Sequence, residues 1–96
     1  MQKVSEAQFQ NQVTQLARMF GYRVYHTHDS RKSASGFPDL VIAKPGRRAI
    51  FAELKSATGK TSPEQDEWLE VLKQAGERVY LWRPSDLQEI ARILGE

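Results

Sequence analysis

Ninety-six residues suffice for one domain with a single core, so 1–96 is read as one unit. The absence of cysteine excludes disulfides and thiolate metal sites. No apolar run approaches the roughly 18 residues of a membrane span, and Met1-Gln2-Lys3-Val4-Ser5-Glu6 is not a signal peptide, so a soluble intracellular protein is expected. The net charge of +2 conceals an asymmetry. Residues 18–60 hold nine Lys or Arg against three acids, while the remainder nets −4. A basic cluster of that kind is the footprint expected for a polyphosphate backbone, although a solvated basic face has the same composition.

In chain order, Ser5 and Gln8 form a capping box that starts a first helix, and Gly21 stops it. Phe9, Val13, Leu16, Ala17 and Phe20 make its buried stripe. Arg23 to Thr27 reads as the first strand, followed by a polar loop from Asp29 to Gly36. Leu40–Ala43 and Ala49–Leu54 form a hairpin turning at Lys44-Pro45-Gly46-Arg47. Ser62 caps a second helix, with Pro63 in its first turn, Trp68, Leu69 and Leu72 inward and Gly76 as its end. Val79 to Trp82 is the fourth strand, and Pro84-Ser85 opens a last helix with Leu87, Ile90, Ala91 and Leu94 facing the core. The order α-β-β-β-α-β-α in one domain implies an α/β fold, a mixed four-stranded sheet flanked by helices.

Asp39, Glu53 and Lys55 stand out because they interrupt strands that are otherwise apolar. Side chains alternate along a strand, so Glu53 and Lys55 share one face and Leu54 takes the other. Thirteen residues separate Asp39 from Glu53, enough for a strand, a tight turn and a returning strand. The two carboxylates can therefore sit side by side with an ammonium next to them. Two hard oxygen donors on neighbouring strands suit Mg²⁺, with Mn²⁺ as a substitute, and leave positions for water and phosphate oxygens. Lys55 can orient or deprotonate a water, or neutralise charge on the phosphate. An acid in a turn before a strand, or a surface ion pair on an edge strand, is the plainer explanation of each residue taken singly.

Pro38-Asp39 followed by Glu53-Leu54-Lys55 resembles the signature of the PD-(D/E)XK nuclease superfamily. With Glu6, Gly36-Phe37-Pro38-Asp39, Glu53-Leu54-Lys55-Ser56, Ser62-Pro63-Glu64-Gln65 and Trp68-Leu69 in that order, the chain resembles the stand-alone VRR-NUC domains of phage and bacterial proteins. The resemblance runs from about Glu6 to Leu94 and implies a restriction-endonuclease-like core working in the cytoplasm of a bacterial or phage-infected cell. It also implies that Asp39, Glu53, the Leu54 carbonyl and Glu6 hold one or two Mg²⁺ ions, and that Gln65 lies near the catalytic Lys55. For Glu6 a helix-dipole role is the plainer reading, and for Gln65 a capping box with Ser62.

The activity expected is metal-dependent endonucleolytic hydrolysis of DNA, with Arg31, Lys32, Arg47, Arg48 and Lys60 gripping the backbone without reading bases. The resemblance further implies a homodimer acting on branched DNA in the manner of a Holliday-junction resolvase. Alternatives are a flap or general duplex nuclease, a non-catalytic DNA-binding module, and hydrolysis of RNA. Two other motifs lead nowhere. Gly59-Lys60-Thr61 lacks the upstream glycine of a phosphate-binding loop, so no nucleotide cofactor is expected, and His26 with His28 lacks a third zinc ligand.

Overall fold

The computed structural model describes residues 3–28 and 34–96. Its elements are α1 (Glu6–Met19), β1 (Arg23–His26), β2 (Leu40–Ala43), β3 (Ile50–Leu54), α2 (Pro63–Gln74), β4 (Arg78–Trp82), a 3₁₀ turn (Pro84–Asp86) and α3 (Leu87–Leu94). The sheet runs β1-β2-β3-β4, antiparallel at the first two pairings and parallel between β3 and β4. The α/β order and mixed four-stranded sheet are those expected from the sequence.

Local chemistry explains the element ends. The Ser5 hydroxyl accepts the Gln8 N–H while the Ser5 N–H donates to Gln8 Oε1, the reciprocal capping box. Pro45 and Gly46, the latter at φ +82°, suit the central positions of the β2–β3 turn, closed by Arg47 N–H donating to the Lys44 carbonyl at 3.2 Å. The last helix begins one turn later than its proline suggests, because Pro84–Asp86 takes the tighter 3₁₀ form first.

Phe9, Val13 and Ala17 of α1 and Ile90, Ile93 and Leu94 of α3 bury against Leu40, Ile42, Ile50, Ala52, Leu54 and Trp82. This face is the apolar core. The opposite face is covered more thinly by α2, where Trp68 meets Phe37 edge-on at 5.0 Å and Phe37 meets Phe51 at 6.2 Å. No residue of α2 is fully buried, so Trp68, Leu69 and Leu72 are half-buried rather than core. Phe20 differs too: at 37% exposure it lies outside the stripe, since α1 has ended at Met19. No helix among the described residues is long and apolar enough to cross a membrane.

Candidate active site

The register builds the site. Leu40 pairs with Ala52 and His26 with Leu40, so one step further Asp39 stands opposite Glu53, and Thr27 opposite Asp39. The Thr27 N–H donates to the Asp39 carbonyl at 2.8 Å, and the Leu54 N–H donates to Asp39 Oδ2 at 2.8 Å. These bonds fix Asp39 at the mouth of β2 with one carboxylate oxygen committed to the end of β3. Thr27, Asp39 and Glu53 therefore form a row across three strands on the face that α2 covers.

Gly36 makes the approach to Asp39 possible. It has φ +90°, and a Cβ there would lie 2.5 Å from the Glu64 carbonyl carbon and 2.8 Å from the Gln65 nitrogen. Only glycine lets the chain run this close to the first turn of α2 before Phe37 tucks against Trp68 and Pro38 is buried. Gly36→Ala adds backbone overlap to an unfavourable φ, so an expected loss of about 3 kcal/mol should appear in urea unfolding.

Glu53 is 1% exposed. Its Oε2 lies 3.6 Å from Lys55 Nζ, and its Oε1 is buried with no hydrogen-bond partner among the described residues. Burial pushes the Glu53 carboxyl up to about 8, the Asp39 charge pushes the same way, Lys55 opposes them, and Glu6 adds a smaller upward push. A buried carboxylate with one idle oxygen beside a second carboxylate suits a hard cation: the missing positive charge would offset the desolvation and the repulsion. The chemistry of Asp39 and Glu53 thus fits a hard cation such as Mg²⁺.

The other expected residues divide. Glu6 is exposed in the first turn of α1, and no group of three His, Asp or Glu among the described residues converges on one point. Its charge nevertheless adds to the upward push on the Glu53 carboxyl. Gln65 is half-buried and completes the α2 capping box, its Oε1 accepting the Ser62 N–H at 2.8 Å. That leaves the amide nitrogen for any role at the site. Gln65→Glu keeps the acceptor and removes that donor, so we expect an unchanged melting temperature and a cleavage rate reduced about tenfold. An unchanged rate would assign Gln65 to capping alone.

Lys60 is exposed on the loop that follows Lys55. Arg47 and Arg48 sit on the β2–β3 turn, at the opposite end of the strands, with Arg48 five residues and so ~17 Å from Glu53 by strand rise. Arg48 donates to the Gly76 carbonyl beyond α2, which gives it a structural partner. Arg31 and Lys32 lie outside the described residues. Sequence reasoning missed Arg83, whose Nη1 donates to the Ser56 and Gly59 carbonyls at 2.7 Å each and ties down the loop carrying Lys60. It also missed Thr27, whose place opposite Asp39 emerges only once the β1 register is known.

The family model for the VRR-NUC domain matches residues 2–86. A solved structure described as a VRR_NUC domain is similar at TM-score 0.77 and 22% identity, covering 93% of this chain and 92% of the other. A second, a VRR_NUC domain protein, is similar at TM-score 0.71 and 19% identity over 99% and 93%. At those identities the structural likeness speaks for the fold. A search of curated proteins finds no match.

Proposed function

The chain belongs to the VRR-NUC domain family, whose members are nuclease-type DNA-processing domains, and on that premise we propose a Mg²⁺-dependent endodeoxyribonuclease selective for branched DNA. The observation that carries this reading is the buried Glu53 carboxylate with an idle oxygen, set beside Asp39 and paired with Lys55. Asp39 and Glu53 would hold the ion. The chemistry supplied when Mg²⁺ is bound is Lewis acidity toward the scissile phosphate and a lowered pKa for water. Asp39 and Glu53 would fix the ion's position, Glu53 from a buried and Asp39 from a half-buried place. Lys55, held by Glu53, presents its ammonium to a phosphate oxygen and offsets the charge that develops there.

The cationic side chains suit contact with the phosphate backbone, so shape is the expected criterion for choosing a substrate. A homodimer would present two such sites to the related strands of a four-way junction. The test is a panel of four-way junctions, flaps, duplex, single strands and RNA in Mg²⁺ or Mn²⁺, with mass measured in solution. Paired symmetric nicks that persist when junction sequence changes but shape does not are expected, with affinity falling steeply in salt. A monomer that cuts linear duplex as fast as junctions would leave a general nuclease.

A further inference from the structure

A groove of about 310 Å³ opens beside the catalytic row, lined by Tyr25, Thr27, Ala34, Phe37 and Trp68. Its walls are aromatic. Tyr25 is 62% exposed on β1, and Phe37 and Trp68 hold each other edge-on at 5.0 Å. Large exposed aromatics cost solvation, and an edge strand usually avoids them because they invite unwanted pairing. The groove also contains an unpartnered polar group: Thr27 Oγ1 is buried and makes no hydrogen bond among the described residues. Valine would fill that strand position without the ~1–3 kcal/mol that an unsatisfied hydroxyl costs.

Position identifies the occupant. Thr27 belongs to both the groove and the row, since it pairs directly with Asp39. Tyr25 lies two residues from Thr27 on the same face, so a nucleotide whose phosphate rested at Asp39 and Glu53 would bring its base within reach of the groove. Aromatic walls with one hydrogen-bonding group are the chemistry that receives an unstacked base, and rotation about χ1 can present the Thr27 hydroxyl to its edge. We propose that this groove binds an unpaired nucleobase next to the scissile phosphate, so that the substrate is DNA whose stacking is interrupted at the cleavage position. The proposal rests on the nuclease reading and names the substrate class of the same site. A protein segment seated in the groove is the competing occupant.

The test is a thermodynamic cycle on binding alone, read by fluorescence anisotropy with Ca²⁺ replacing Mg²⁺ to suppress turnover. The probe is a labelled duplex with a short single-stranded arm, intact or abasic at the first unpaired position. Tyr25→Ala should weaken binding to the intact probe roughly tenfold, and the abasic site should do the same to the wild-type protein. Combining them should cost little more than either alone, and Tyr25→Phe should bind as wild type. Thr27→Val should raise the melting temperature of the free protein while weakening the intact probe about threefold. Additive losses, or a Tyr25→Ala protein that binds the intact probe normally, would overturn the proposal. Because no cleavage enters this readout, loss of the nuclease reading through Asp39 and Glu53 would register separately.

Discussion

Asp39→Ala and Glu53→Ala should each lower Mg²⁺-dependent DNA cleavage by about a thousandfold or more while leaving fold and DNA affinity nearly intact. Each substitution removes one of two hard oxygen donors, and a site with two carboxylates has none to spare. Neither side chain serves the apolar core, which lies on the other face of the sheet. Asp39 does accept the Leu54 N–H, so Asp39→Asn, which keeps an acceptor there, is the control that separates a lost ligand from a displaced β3 end. DNA affinity measured without metal should hold, because neither substitution removes a positive charge that could meet phosphate. Cleavage at near wild-type rate by both alanine variants would remove the nuclease assignment.

How far the sequence discloses this site depends on how local each determinant is. The Asp39–Glu53 pairing is written in a short hairpin: a thirteen-residue spacing, Pro45-Gly46 at the turn and alternation in β3 leave little freedom. The capping boxes at Ser5 and Ser62 are equally local, and both form. Thr27 is different. Its place in the row depends on how β1 registers against β2 across a long connection, and no pattern within β1 encodes that. Arg48 has the same difficulty: a turn arginine looks like a backbone grip until the end of α2 arrives beside it at Gly76. The thin cover of α2 is also a long-range result. Its apolar positions are real, but how deeply they bury depends on the sheet face they meet, and no pattern within α2 encodes that.

The second large effect concerns stability and pH, and it follows from Glu53 alone. Its carboxyl titrates near 8 in the folded chain against 4.5 for the free group, chiefly through burial, with Asp39 and Glu6 adding to the rise and Lys55 opposing it. A folded pKa above the unfolded one means that the native state binds the proton more tightly, so this contribution to stability is complete below about 4.5. It is lost progressively as pH rises through 8, and the metal-free protein should weaken over that window by up to about 5 kcal/mol. Glu53→Gln carries a permanent neutral amide in the same volume. It should flatten the profile, and above pH 8 it should leave the metal-free protein more stable than wild type. Added Mg²⁺ should then separate the two proteins. It favours the ionised carboxylate, so it should raise the melting temperature of wild type near pH 8 and leave Glu53→Gln almost unmoved. Thermal melts across pH 5 to 9, with and without Mg²⁺, measure all of this without a DNA substrate. A Glu53→Gln protein that keeps both the pH slope and the Mg²⁺ response of wild type would show that Glu53 is neither the strained carboxylate nor the cation's ligand.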